Sequence, residues 1–381
     1  MKFIVHGGTL ARSLNAIGNL PGKNNTIPIV EYFLLSLEEN NLVITATDLE
    51  TMASVSIELQ DFDDMGKSKV CVPAKEFSVF INQATSAPLT IMVNEDYSVD
   101  IVSNNGRYNF QGKEPDDFPQ MIQIEDADKF TITSSALVNG ISKTLFAVSQ
   151  DEFRPQMSGV LFEFSSKGLT FVGTDSHKLV RMRNTNFATE DERAFILPKK
   201  TLNVLQKILS SINEDLEVRV ENNVSNIAFY FENFHIACRL IEGKYPQYEA
   251  AIPTNNPNKL IVSAAALMST IKRIQIFANT ATNQIKLSLA DKRLIITAED
   301  VNYGTKGKEE LSCDYEGDAM DIGLNSKYLT EIINNIETEN ICFEFSKPDR
   351  PCIVLPFEEE AKEDNSEDLL MLLMPVVLVG E

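Results

Sequence analysis

The chain has 381 residues, a hydrophobic content of 43% and a net charge of −21. This length accommodates two or three domains of ordinary globular composition. The five cysteines form no CxxC pair, and the longest apolar run, 369–379, is too short for a bilayer and contains Pro375. We therefore expect a cytoplasmic protein with reduced thiols and without a membrane segment, metal or cofactor.

Taken in chain order, the elements follow one pattern three times. A strand opens the chain at MKFIVHGG, and a helix over 9–20 follows it with an apolar stripe at Leu10, Leu14 and Ile17. Segments of alternating apolar residues and short turns then predict antiparallel hairpins. A second helix begins near Pro73, and more strands follow. The remaining helices are predicted over 134–149, 198–212, 263–279 and 325–337, with linkers near 120–130 and 252–259.

The pattern is an internal repeat. NLVITATD ends at Asp48, GLTFVGTD at Asp175 and RLIITAED at Asp300, so the intervals are 127 and 125 residues. A lysine near the start of each second helix keeps the same order, at positions 75, 200 and 327. These two markers and the recurring first helix, in one order at one period, predict three copies of one domain. We expect an α+β fold, two helices on an antiparallel sheet in each copy, with domains 1–125, 126–254 and 255–381.

The charge is unevenly distributed. The six predicted helices carry nine basic and three acidic residues, a net charge of +6, which leaves −27 elsewhere. A solubilising lysine pattern is one explanation. The other is that the helices face a polyanion while the rest of the surface does not. Arg12, Lys143 and Arg273 lie about 200° from a member of the apolar stripe, so we expect them to project outward.

No catalytic site is predicted. Asp175, Ser176 and His177 are neighbours in an extended segment, whose side chains point to opposite faces and do not converge as a triad does. No nucleophile elbow, phosphate-binding loop or HExxH motif occurs. The acidic pairs 63–64 and 116–117 have no identifiable partner ligand. A non-catalytic tandem-repeat scaffold that binds only proteins is the alternative to a protein whose basic helices face a polyanion.

Several segments carry a family resemblance: FAVSQDEFRPQMSGVLFEF, FVGTDSHKLVRM, RLIEGKYPQYEAAIP, MDIGLNSKYL and LLMPVVL. In this order they resemble the bacterial DNA polymerase sliding clamp, the beta subunit of the replicative polymerase, over the whole chain. The resemblance implies a head-to-tail homodimer that closes as a ring around double-stranded DNA. It also implies binding to the replicative polymerase, the clamp loader and other clamp-motif proteins, with no enzymatic activity.

The resemblance further implies three sets of residues. The DNA-facing set is Arg12, Lys23, Lys75, Lys143, Arg154, Lys199, Lys200, Lys207, Lys272 and Arg273. The dimer interface is Tyr108 and Phe110 against Ile276 and Phe277, although these four residues are also consistent with cores of their own domains. The groove for partner peptides is Met157, Thr174, Ser176, His177, Lys178, Leu179, Pro246, Asn325, Tyr328, Leu372, Leu373, Met374, Pro375 and Val376. Pro155 and Gln156 stand where some relatives carry an aromatic pair, so base stacking is not expected there.

Overall fold

The structure, a computed structural model, describes residues 1–22, 26–63, 67–151, 153–358 and 366–378. The first third of the chain contains helices α1 (Gly7–Ile17) and α2 (Ala74–Gln83) and strands β1 (Lys2–His6), β2 (Tyr32–Glu38), β3 (Asn41–Thr47), β4 (Thr51–Glu58), β5 (Phe62–Asp63), β6 (Lys69–Pro73), β7 (Pro88–Val93), β8 (Ser98–Ser103) and β9 (Gly106–Gln111). The middle third contains helices α3 (Ser134–Thr144) and α4 (Lys199–Leu209) and strands β10 (Asp128–Thr133), β11 (Gly159–Ser165), β12 (Gly168–Thr174), β13 (Lys178–Asn184), β14 (Arg193–Pro198), β15 (Glu217–Asn222), β16 (Asn226–Phe231) and β17 (Phe234–Arg239). The last third contains helices α5 (Ala264–Ile274) and α6 (Ser326–Asn334) and strands β18 (Asn258–Ser263), β19 (Gln284–Ala290), β20 (Arg293–Asp300), β21 (Thr305–Ser312), β22 (Asp314–Glu316), β23 (Met320–Asn325), β24 (Asn340–Phe345), β25 (Cys352–Phe357) and β26 (Glu367–Leu373).

The six predicted helices are confirmed. Each ends three to five residues before its predicted end, and α1 begins two residues before its predicted start, at Gly7. Pro73, Pro198 and Asn325 are the N-caps of α2, α4 and α6, as their positions in the sequence indicate. The α1 stripe of Leu10, Leu14 and Ile17 is completely buried. In the described ranges, no helix has the length and hydropathy needed to cross a membrane.

The contacts divide the chain into two compact units. Unit 1 comprises Met1–Val138 and Pro198–Leu240. Its five-stranded sheet has the order β5-β1-β7-β8-β9, and its eight-stranded sheet has the order β10-β15-β16-β17-β4-β3-β2-β6. Helices α1, α2 and α4 belong to this unit, and α1 contacts both others.

Unit 2 comprises Asn139–Leu197 and Ile241–Glu381. A nine-stranded sheet has the order β14-β11-β12-β13-β26-β25-β24-β18-β22, and a four-stranded sheet has the order β21-β20-β19-β23. One apolar core includes residues of α5 and α6 with both sheets. A second, smaller core on the nine-stranded sheet contains Leu179, Tyr245, Tyr248 and Leu372.

Each long sheet joins strands from two consecutive repeats. In unit 1, β4 pairs antiparallel with β17, and in unit 2 β13 pairs antiparallel with β26. By position in the repeat, β4, β13 and β21 correspond to one another, and so do β17, β26 and β9. Strands β21 and β9 stand at sheet edges, with no further strand beside them among the described residues.

Candidate peptide-binding groove and basic helix faces

The floor of the candidate groove lies where β12, β13 and β26 run side by side. Met157, Thr174, Leu179 and Leu372 are all buried here. Leu179 and Leu372 are opposite each other in the β13–β26 ladder and share the smaller core of unit 2. This floor is therefore apolar and rigidly held by neighbouring strands.

The rim is formed by a tight turn and the segment after β26. Ser176 has a φ of +76°, a left-handed conformation that turns the chain sharply between β12 and β13. The His177 ring stacks on Tyr328 of α6, with centroids 5.4 Å apart and planes at 15°. The backbone N–H of Met374 donates to the His177 carbonyl at 2.8 Å. His177 is exposed and Met374 is 38% exposed, so both can contact a ligand.

The rest of the rim is also accessible. Pro246 is exposed, and Pro375 and Val376 are half-buried. The N–H of Val376 donates to the Gly323 carbonyl at 2.8 Å, which attaches this segment to the edge of β23. The Asp175 carboxylate accepts the backbone N–H of His177 at 2.8 Å, an interaction that shapes the turn.

Three predicted groove residues are placed differently from the expectation. Leu373 is fully buried in the larger core, because it follows Leu372 in a strand and points to the other face of the sheet. Lys178 is only 5% exposed and bonds within the protein. Asn325 uses its side-chain oxygen to accept the N–H groups of residues 327 and 328, and its amide donates to the Thr282 carbonyl, so it serves as the α6 cap.

Three supporting residues were missed by the sequence analysis. The Tyr245 hydroxyl donates to the Val172 carbonyl at 3.1 Å, and the Tyr248 hydroxyl donates to the Glu163 carboxylate at 2.7 Å. Burial raises the pKa of both tyrosines, so they stay neutral. Both tyrosines lie in the GKYPQY segment, of which the sequence analysis assigned only Pro246 to the groove. Glu331, the third, is bonded to Lys178.

The basic residues of unit 1 lie on accessible helix faces. Arg12, Lys75, Lys200 and Lys207 are exposed, and Lys199 is half-buried. Two of these side chains are already engaged: Lys200 pairs with Asp48 at 2.6 Å, and Lys207 donates to the Asn15 carbonyl at 2.6 Å. A polar cavity of about 580 Å³ is lined by Asn19, Lys200, Asn203, Val204, Gln206, Lys207 and Ser210.

The basic residues of unit 2 are more strongly neutralised. Lys143 was expected to project outward, but its side chain is only 14% exposed and pairs with Glu337 at 2.5 Å. Arg273 is exposed and paired with Glu309. Arg154 bonds Asp151 at 2.9 Å and the Ser176 hydroxyl at 2.8 Å, which places it at the groove rim.

Of the other two members of the predicted basic set, Lys272 is exposed. Lys23 lies outside the described residues. Phe153, which the sequence analysis did not single out, is 97% exposed beside Arg154.

The predicted interface residues lie on the two edge strands or beside them. On β9, Tyr108 is 43% exposed and contacts Phe80, and half-buried Phe110 contacts the rings of Phe77 and Phe80. Ile276, just after α5, is 76% exposed.

Phe277 has a different environment. It is half-buried against the larger core, and a Cβ at Gly307 of β21 would approach its ring to 2.6 Å. Tyr108 and Ile276 are thus accessible, whereas Phe110 and Phe277 also pack within their own units.

Models of one protein family match nearly the whole chain. The N-terminal domain of the DNA polymerase III beta subunit matches residues 1–122, the central domain 131–247 and the C-terminal domain 249–373. The chain belongs to the DNA polymerase III beta subunit family. Its fold is three tandem clamp domains, and its function is that of a DNA polymerase processivity clamp, so a scaffold unrelated to DNA is not favoured.

Individual relatives agree with this assignment. The beta sliding clamp of Staphylococcus epidermidis is 27% identical over 385 residues, covering 99% of both chains, and that of Chlamydia muridarum is 25% identical over 356 residues, covering 93% of this chain and 95% of its own. The crystal structure of the Thermotoga maritima beta subunit has a TM-score of 0.90 at 22% identity, covering 99% of this chain and all of its own. A sliding clamp from Pseudomonas aeruginosa bound to griselimycin has a TM-score of 0.91 at 24% identity, with the same coverage. At these identities the structures support the fold.

Proposed function

We propose that two copies of this protein close head to tail around duplex DNA and slide along it while holding partner proteins. The observation that carries this proposal is the pair of unmatched edge strands, β9 in unit 1 and β21 in unit 2. We also propose domain boundaries at 1–125, 126–254 and 255–381.

The internal repeat supports an interface between β21 of one chain and β9 of the other, which we call the seam. Within the chain, β4 pairs with β17 and β13 pairs with β26, always antiparallel. The third pairing of this series joins β21 to β9, and β9 of a second chain can supply it. A head-to-tail interface of this kind repeats, and two copies with two such interfaces leave neither β9 nor β21 as a free edge.

The exposed side chains fit this seam. Val79 on α2 is 61% exposed and Tyr108 on β9 is 43% exposed. Near β21, Ile276, Val301 and Tyr303 are 76%, 84% and 78% exposed. Apolar side chains at both edges favour burial against another copy.

The charge supports sliding rather than sequence recognition. Accessible lysines and arginines attract phosphates, and several of them are already paired with acids, which limits the strength of attachment. Helix amides such as Asn203 and Gln206 can contact the backbone through water. Long residence on DNA then depends on the closed ring.

The groove supports binding of an extended peptide. Its apolar floor at Leu179 and Leu372 accepts side chains, while Met374 on the rim is flexible enough to fit different sequences. We propose that the replicative polymerase, the clamp loader and other clamp-motif proteins compete for it in the cytoplasm. The protein itself supplies no catalysis in this proposal.

Loading on circular DNA tests the ring. A loader places labelled protein on nicked circular DNA, and gel filtration in high salt separates bound from free protein. We expect the complex to survive until a restriction enzyme cuts the circle, and then to dissociate. Equal retention on circular and linear DNA would contradict encirclement.

The groove is tested separately. Griselimycin, present in the Pseudomonas aeruginosa structure, serves as a defined peptide probe. We expect it to bind the full-length protein and to lose binding on deletion of residues 374–381, while the dimer persists. Unchanged binding after the deletion would refute the groove assignment.

A further inference from the structure

Lys178 is a charged side chain enclosed at the edge of the groove. It is 5% exposed, and its ammonium group donates to Asp175 Oδ2 at 2.6 Å and pairs with Glu331 Oε2 at 3.0 Å. The same ammonium lies 4.5 Å from the centroid of the Tyr328 ring. A buried lysine is tolerated only when such partners replace its hydration.

These partners belong to two different elements. Asp175 lies in the turn that presents His177, and its other oxygen accepts the backbone N–H groups of residues 177 and 178 at 2.8 and 2.9 Å. Tyr328 and Glu331 lie one turn apart on α6. Lys178 therefore joins the turn carrying His177 to the helix carrying Tyr328, and these are the two rings that stack at the rim.

The ammonium is not available to a ligand. Its two carboxylate partners and the face of an aromatic ring occupy its surroundings, and almost none of the side chain is accessible. Although burial lowers the pKa of Lys178, the interactions with Asp175 and Glu331 outweigh it and raise the pKa overall, so the charge is kept.

The corresponding position in unit 1 shows that the fold does not require this charge. Thr51 begins β4 as Lys178 begins β13, and Thr201 is the third residue of α4 as Tyr328 is of α6. There the two threonine hydroxyls share a hydrogen bond of 2.7 Å. A neutral contact is enough to join strand and helix, so the ion bridge is specific to the groove.

We propose that Lys178 is a positioning residue, which fixes the distance between the His177 turn and α6 and so holds the groove open for peptides. The inference rests on the proposed function of the groove. With the Lys178 ion bridge intact, the His177 and Tyr328 rings are ordered before the ligand binds. Binding therefore does not include the entropic cost of ordering them.

The test replaces the charge and keeps the side chain's length, as Lys178→Met. Lys327→Met is the matched control, because Lys327 is an exposed lysine at the start of the same helix. Griselimycin affinity is measured by calorimetry for the wild type and both variants. We expect binding roughly tenfold to hundredfold weaker in Lys178→Met, since two side chains must be ordered at binding, and unchanged binding in the control.

A second readout separates positioning from general destabilisation. The protein has three histidines, so the ring protons of His177 can be assigned by NMR with a His177→Gln variant. Stacking on Tyr328 shifts these resonances, and we expect the shift to be lost in Lys178→Met and kept in Lys327→Met. Weaker binding with an unchanged His177 spectrum would overturn the inference, as would wild-type affinity.

A third variant guards against misfolding. Glu331 is 46% exposed on a helix surface, so Glu331→Gln leaves the core intact and weakens only one arm of the bridge. We expect a smaller change in the same direction in both readouts, and no change would contradict the proposal. Failure of the wild type to bind griselimycin would instead count against the groove assignment itself.

Discussion

The proposed seam makes a sharp prediction about Asn109, in the middle of β9. A two-residue turn at 104–105 joins β8 to β9, so the adjacent pair, Ser103 and Gly106, is a hydrogen-bonded pair. Hydrogen-bonded and non-hydrogen-bonded pairs alternate along an antiparallel ladder. Asn109 and Asp100, three pairs further along, are therefore a non-hydrogen-bonded pair, and the N–H of Asn109 points away from β8. Asn109→Pro removes that N–H without breaking the β8–β9 ladder.

The expected cost follows from the two seams of a ring. A lost backbone hydrogen bond that leaves a buried carbonyl unsatisfied costs about 1–3 kcal/mol. Dissociation of a ring breaks both seams, so the dimer should weaken by about 2–6 kcal/mol, or roughly 30-fold to 20,000-fold in Kd. Asn109→Ala is the matched control, because it also loses the side-chain bond to Asp100 but keeps the N–H.

Sedimentation velocity over a dilution series measures the dimer dissociation constants of the Asn109→Pro and Asn109→Ala variants. Thermal unfolding of each variant should differ little from wild type, because edge strands tolerate proline. Equal dimer constants for the proline and alanine variants would refute pairing through β9.

Three further predictions concern stability and reactivity. Burial lowers the pKa of His235. As the pH falls through about 6.5, the unfolded chain therefore gains a proton that the folded chain does not, and the free energy of unfolding falls. In urea titrations, His235→Phe should lose less stability than the wild type between pH 7 and 5.5. Burial raises the pKa of Cys238 to about 12, so Ellman's reagent at pH 8 should react first with Cys313, which is half-buried, and with Cys238 only after unfolding. A Cβ at Gly140 would lie 2.4 Å from the Phe171 ring, so Gly140→Ala should cost about 1–3 kcal/mol in the same titrations.

Each of these has a contrary result. An identical pH dependence in the wild type and His235→Phe would show that other groups dominate. Rapid reaction of Cys238 in the native protein would show that its environment opens readily. A neutral Gly140→Ala variant would mean that the Phe171 ring moves aside at little cost, and Gly22→Ala, where the nearest atom is 3.9 Å away, is the control.

Repeated patterns predicted the helices and sheets because each repeat buries one helix stripe and one strand face in the same way. They could not predict partners that come from a different repeat. Lys143 lies on the outward side of its own helix, yet Glu337 follows the second helix of the next repeat and covers it. Only the tertiary structure brings these two residues together.

The groove residues show a related limit. The family resemblance marks a segment, whereas strand alternation decides which of its residues face the groove. Leu372 belongs to the floor and Leu373 to the opposite core, although both lie in one motif. The resemblance implies that Lys178 and Asn325 contact the ligand, but partners within the protein take up their hydrogen bonds.

The same turn occurs in both units, and its side chains differ at the proposed groove. Leu49 and Ser176 have nearly the same φ, +82° and +76°, so the backbone is equivalent. Leu49 is partly buried and packs against the cluster that contains Phe118. In unit 2 the apolar residue is replaced by serine, and the stacked rings of His177 and Tyr328 stand at the edge instead. Since these stacked rings accompany the turn of unit 2 and not that of unit 1, we expect each chain to bind one peptide at this turn and a ring of two chains to bind two.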